Sequence, residues 1–282
     1  MPIDNFIPEI WSTRLMRHLD KNLVFKQLVN TDYEGEIKAA GDTVRINQIG
    51  NITVKPYVKN VAIADPDQLD SAQQLLLIDQ LHYYNFYVDD VDAAQSNVTL
   101  MDKAMARAAY ALADLIDQDI AGLHGNAGIK MDDGGAAYSV GNGNGAGVKN
   151  PYDLIVDVGV EMDEHNVPRE GRWIVIPPWY HGVLLKDDDY KQAWQNYMAT
   201  GVVPVVAGFS VLWSNNLDID AGGTDYHVLA GTREAISFAG QVNKTEAYRV
   251  EKMFADAIKG LYVYGRKVVQ PTCLVDLLVA KA

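Results

Sequence analysis

The chain has 282 residues, 48% of them hydrophobic, enough for a sizeable core in one large domain or two smaller ones. Lys and Arg number 24 against 37 Asp and Glu, a formal net charge of −13 that argues against a general nucleic-acid binder. The single cysteine, Cys273, excludes an intrachain disulfide and a sulfur-rich metal site.

Met1-Pro2-Ile3-Asp4-Asn5 has neither the basic start nor the apolar run of a signal peptide. No run of residues approaches the ~18 uninterrupted apolar positions of a membrane span. Residues 8–30 then read as amphipathic helix. Ile10, Trp11, Leu15, Leu19 and Leu23 give an apolar stripe, and Arg14, Arg17, His18, Asp20 and Lys21 the polar side. Such a helix packs on its own domain or, as an arm, on a neighbouring subunit.

Thr43-Val44-Arg45-Ile46-Asn47 and Ile52-Thr53-Val54-Lys55 alternate apolar and polar residues about Gly50-Asn51, the pattern of a β-hairpin. Val44, Ile46, Ile52 and Val54 share one face, with Arg45, Asn47, Thr53 and Lys55 on the other. The flanking segments are polar and broken by Pro66, so this apolar face is expected to be covered by an adjacent subunit. Gln73 to Val88 reads as one long strand with apolar residues on both faces, which calls for cover on both sides.

From Thr99 onward Met101, Met105, Ala108, Leu112, Leu115 and Ile116 recur at helical spacing, with Gly122 as a stop. The Ala-rich stripe predicts close packing of this long helix on a sheet. Residues 125–147 are Gly-rich but lack the Gly-Lys-Ser/Thr end of a phosphate cradle, so an exposed, mobile loop is expected. Asn150-Pro151 caps a helix whose buried face is Leu154, Ile155, Val158 and Met162. Trp173-Ile174-Val175-Ile176 is a buried strand ended by Pro177-Pro178. Further strands fall within 202–213, 226–238 and 260–269.

Chemistry is hard to find. His18, His82, His124, His165, His181 and His227 include no His-Glu-x-x-His pair and no two at ligand spacing on one helix. Ser210 lacks the second glycine of a nucleophile elbow, and Asp187-Asp188-Asp189 lacks the alternation of a calcium loop. Cys273 has no basic neighbour in sequence to activate it. No catalytic, cofactor-binding or metal residue is assigned.

The order of elements, with Phe6-Ile7-Pro8-Glu9-Ile10-Trp11, Tyr33-Glu34-Gly35-Glu36-Ile37, Asp89-Asp90-Val91-Asp92 and 254–265 (Phe254 to Gly265), resembles the major capsid proteins of tailed bacteriophages with the Hong-Kong-97 fold. The resemblance spans nearly the whole chain and rests on architectural motifs.

It implies an α+β fold with an N-terminal arm (1–32) and an extended β-hairpin loop (33–72). A peripheral domain (73–123 and 258–282) would pack the long spine helix on a β-sheet, and an α/β axial domain would span 124–257. It also implies a structural protein, not an enzyme, that forms the hexamers and pentamers of an icosahedral shell around double-stranded DNA. No cofactor and no membrane contact are implied. The shell would assemble in the host cytoplasm and hold its DNA without sequence-specific binding. The family-like start at Phe6 leaves no room for a fused scaffolding segment, so a separate scaffolding protein and a portal are expected. The assembly contacts expected are Val44, Ile46, Ile52, Val54 and Trp11. An encapsulin-like nanocompartment shell and an α/β enzyme of unknown type are the alternatives.

Overall fold

Three sheets and one long helix organise the computed structural model, which describes residues 24–33, 43–49, 56–57, 59, 71–89, 99–142, 147–187, 205–220 and 222–282. Trp11, Ile52 and Val54 lie outside the described residues, as do residues 1–23 of the expected arm.

The first sheet pairs Thr43–Ile49 (β1) antiparallel with Ser71–Leu77 (β2), Val44 opposite Leu76 and Ile46 opposite Gln74. The expected partner of 43–47 was 52–55; the observed one comes from further along the chain. Gln80–Asp89 (β3) follows after a break at Ile78 and Asp79, so the single strand expected over 73–88 is two strands in two different sheets.

Thr99–Ala121 is the spine helix, α1, and a 3-10 turn, Gly122–Asn126, ends it. Its buried face is Met105, Ala109, Leu112, Ala113, Ile116 and Ile120. The expected stripe contained Met105, Leu112 and Ile116, but Ala108 and Leu115 are only partly buried. The side chain of Met101 is outside the described ones. The contact line is turned toward Ala109 and Ala113, the small residues that let the helix approach its neighbours. Near its end, Tyr264 donates a short hydrogen bond to the Asp119 carboxylate, and Arg266 Nε donates to the Asp119 carbonyl at 2.7 Å.

Ile129–Met131 (β4) and Tyr138–Val140 (β5) lie in the Gly-rich stretch, and Val148–Lys149 (β6) follows it. The exposed, mobile loop expected there is corrected: β4 and β5 each pair in parallel with a late strand of the chain, which supplies their missing hydrogen bonds. Pro151–Glu164 (α2) is capped as expected, the Asn150 side chain accepting from Tyr152 N at 2.7 Å. Trp173–Ile176 (β7) is buried at all four positions, and Pro178–Leu184 (α3) follows it. The remaining strands are Val205–Val206 (β8), Phe209–Trp213 (β9), Asp225–Gly231 (β10), Ile236–Arg249 (β11), Ala255–Val268 (β12) and Leu274–Lys281 (β13).

The eight-stranded sheet runs β6-β5-β13-β10-β7-β9-β8, with β4 also on β13. The three-stranded sheet is β11-β12-β3. The expected division at 257/258 does not follow these sheets. Residues 274–281, expected in the peripheral part, form the middle of the large sheet, and 236–249, expected in the axial part, pair with β12. Gly260 and Gly265 of β12 are required by close approach. A Cβ at Gly260 would strike the Tyr84 ring, and one at Gly265 the Leu77 carbonyl.

Residues 24–30, expected to belong to an arm, are sewn into the subunit. Phe25 is fully buried, edge-on to Trp173 at 6.3 Å, and Asn30 bridges to Ser237 of β11. The backbone N–H groups of Phe25 and Val24 donate to the Asp117 carboxylate at 3.3 and 3.4 Å.

Burial of Asp117, 2% exposed, pushes its carboxyl up to about 6, against the pull of those two donors. The folded chain therefore holds this proton more tightly than the unfolded one, in which the group titrates near 3.8. The stability it contributes is fully present below about 4 and is lost as pH rises through about 6. Asp117→Asn keeps one of the two accepting oxygens, sets an amide NH2 in place of the other and removes the buried charge. It is expected to be more stable than the parent above pH 6, by up to about 3 kcal/mol for a shift of about two units. It should also flatten the dependence between pH 4 and 6. Urea unfolding at a series of pH values measures both.

Candidate functional site

In β3 successive side chains alternate between faces. His82, Tyr84 and Phe86 turn inward, where Tyr84 and Phe86 stack at 6.2 Å and His82 stacks on Tyr264 at 5.6 Å. Leu81, Tyr83 and Tyr87 turn outward and are 52%, 78% and 57% exposed. Leu75 and Leu77 of β2 are exposed as well. Among the described residues, the cover expected on both faces of 73–88 is therefore present on one face only.

Exposed aromatic and leucine side chains spaced along one strand form an apolar patch of the sort that marks an interaction site. β3 is also at the edge of its sheet: among the described residues its one strand neighbour is β12. On the adjoining strands Glu246 pairs with Lys244 and with Lys259, and Arg249 with Asp256 at 3.3 Å, so charged groups border the patch. The two lysines hold the Glu246 carboxyl below its usual range through their hydrogen bonds.

Val44 and Ile46 do not belong to such a patch. They are 4% and 6% exposed, packed with Leu76, Ile78, Ala239, Val263 and Val269 in a second hydrophobic cluster. Their expected role as contacts to an adjacent subunit is corrected: β2, unrecognised as the partner of β1, flanks them, and Ala239, Val263 and Val269 cover them from within the subunit. The small sheet is tied to β12 and its exit by Gln74, which donates to the Val269 carbonyl at 3.0 Å, and by Lys267, which donates to the Leu75 carbonyl at 2.9 Å.

The residues considered for chemistry are scattered. Ser210 lies on β9, paired with Val205 and Trp173, and Cys273 is buried with its thiol donating to Gln270 Oε1 at 3.2 Å. His181 stacks on Trp213 at 4.8 Å, and burial lowers its pKa. His165 bonds the Glu161 carbonyl one helical turn back, at 2.9 Å. His124 and His227 are brought together, although 103 residues separate them in sequence. No spacing rule reads such a pair.

A family model described as phage capsid protein matches residues 82–277. No curated protein matches the chain. Among solved structures, one from Mycobacterium phage Che8 is 29% identical over 90% of this chain and 90% of its own, with a TM-score of 0.70. The capsid of cyanophage P-SCSP1u is 17% identical over 90% and 86%, with a TM-score of 0.67. A virus-like particle from Pyrococcus furiosus is 15% identical over 96% and 98%, with a TM-score of 0.58. At such low identity the last two are alike in fold.

Proposed function

The chain belongs to the phage capsid protein family, with the Hong-Kong-97 fold, and is a structural protein of the virion shell; from that premise we propose how it assembles. The observation that carries the proposal is the outward row Leu81, Tyr83 and Tyr87 on an edge strand. A neighbouring copy covers this row, and copies repeat around it in hexamers and pentamers. Ile52 and Val54 in the extended loop and Trp11 in the arm add further contacts. Val44 and Ile46 anchor the base of that loop instead. The β11-β12-β3 sheet with the spine helix forms the peripheral part, and the eight-stranded sheet the axial part.

The shell encloses double-stranded DNA without reading its sequence. A chain of net charge −13 adds no excess of cations to hold a polyanion, so confinement does the work. A separate scaffolding protein and a portal take part, and assembly occurs in the host cytoplasm. The role is structural, without catalysis. An encapsulin-like shell is the less favoured reading, because the matching family model is that of phage capsid proteins.

Sedimentation velocity with electron microscopy of the purified chain, co-produced with a scaffolding partner, tests this reading. Capsomers or closed shells are expected. A chain that remains monomeric at micromolar concentration under these conditions overturns it.

A further inference from the structure

Where α1 ends against the middle of the large sheet, five side chains from four segments converge. His124 comes from the 3-10 turn after α1, His227 from β10, Asp276 from β13, and Asp218 and Asp220 from the segment between β9 and β10. The two imidazoles stack with centroids 3.6 Å apart. Both Nδ1 atoms face the Asp276 carboxylate, at 3.4 Å from His124 and at 2.9 and 3.1 Å from His227. The Nε2 atoms face outward, His124 to Asp218 at 3.0 Å and His227 to Asp220 at 3.3 Å.

This arrangement is short of hydrogens. A carboxylate only accepts, and a neutral imidazole has one N–H. Four ring nitrogens against carboxylate oxygens therefore need four donors, where two neutral rings supply two. Placing each hydrogen on Nε2 satisfies the contacts to Asp218 and Asp220. It leaves two Nδ1 lone pairs aimed at the negative Asp276.

One divalent cation resolves that conflict, because lone pairs that repel one another are what a metal ion collects. We propose that His124 Nδ1, His227 Nδ1 and the Asp276 carboxylate bind a divalent ion of the zinc class. One donor atom from each residue lies within 4.8 Å of the others, so small side-chain rotations bring all three to coordination distance. Asp218 and Asp220 then accept the Nε2 hydrogens, the carboxylate–histidine–metal relay that fixes ring tautomer and orientation. Imidazole with carboxylate suits zinc, whereas magnesium and calcium take oxygen alone. Asp276 is nearly buried, with 8% of its side chain exposed, while Asp218 and Asp220 are half-exposed and form the open rim by which an ion enters. The bound ion fastens the end of the spine helix to the centre of the sheet.

The test is isothermal titration of zinc chloride into the full chain after stripping with a chelator and dialysis, beside magnesium chloride. One saturable zinc per chain is expected, with no heat from magnesium. Cobalt chloride should give visible absorption bands of low-symmetry nitrogen–oxygen coordination, which zinc then abolishes. His227→Gln and Asp276→Asn should each weaken zinc by at least about tenfold. His124→Gln, at the rim-side turn, serves where either of those fails to fold. Absence of saturable zinc binding by the folded, stripped chain overturns the proposal. So does affinity unchanged in every folded variant. A thermal midpoint that follows pH but not zinc also overturns it, and assigns the cluster to protonated histidines paired with carboxylates.

Discussion

Leu81→Asp combined with Tyr83→Asp is expected to give a folded subunit that no longer assembles. Both side chains point away from the core, and their inward neighbours His82 and Tyr84 keep their stacking partners in the variant. Little folding energy is at stake, because the parent side chains are already 52% and 78% exposed. In an assembled shell the same two positions would be desolvated on every copy. An aromatic side chain buries about 150–250 Å², and apolar burial is worth about 25 cal/mol per Å². Each lost contact therefore removes a few kcal/mol, and each introduced carboxylate adds the cost of burying an unpaired charge. Circular dichroism should match the parent, while sedimentation velocity shows no shell. Full-sized particles from the double variant would show that this face is not an assembly contact.

Val44→Asp is expected to act in the opposite way, by unfolding the subunit. Val44 lies 4% exposed among Leu76, Ile78, Ala239, Val263 and Val269, with no described cation in that cluster to pair with a carboxylate. The loss combines a missing apolar side chain with a buried charge, and changes of that kind exceed about 4 kcal/mol. That is a large part of a domain's margin of about 5–15 kcal/mol. Urea denaturation should show a much reduced midpoint, or the protein should be insoluble. A stable, soluble Val44→Asp subunit that fails only to assemble would restore the reading in which β1 presents this face to a neighbour.

The contrast between these two sites shows where local pattern stops being informative. Alternation in 43–47 correctly indicates a strand with Val44 and Ile46 on one face. It does not say which segment supplies the partner: the nearest alternating run, 52–55, lies outside the described residues, and the pairing observed for β1 is with β2 at 71–77. The spine helix was legible because its periodicity is internal: Met105, Leu112 and Ile116 fall on the buried face as the spacing requires. Its two central alanines were harder to place, since alanine suits either face. The Gly-rich stretch misled for a related reason. Its short strands are held by β13, more than a hundred residues away, and backbone pairing of that sort leaves no mark on composition. The His124–His227 pair was invisible for the same cause, being assembled from a helix end and a sheet centre. The outward row on β3 was readable as residues, but apolar positions on both faces looked like a doubly covered strand. The structure separates the face covered by described residues from the face left exposed.

The position of β13 governs the timing of synthesis. It lies between β10 on one side and β4 and β5 on the other, so the large sheet is three unconnected parts (β4, β5-β6 and β10-β7-β9-β8) until residues 274–281 arrive. β4 is complete at Met131, about 140 residues before Leu274 emerges. At about 5–20 residues per second it waits some 7–30 s for its partner. Throughout that interval the nascent chain exposes strand edges and apolar side chains to every other nascent copy on the same messenger. Closure of this sheet therefore waits on residues 274–281, and the subunit cannot present its finished surface to another copy before they have emerged.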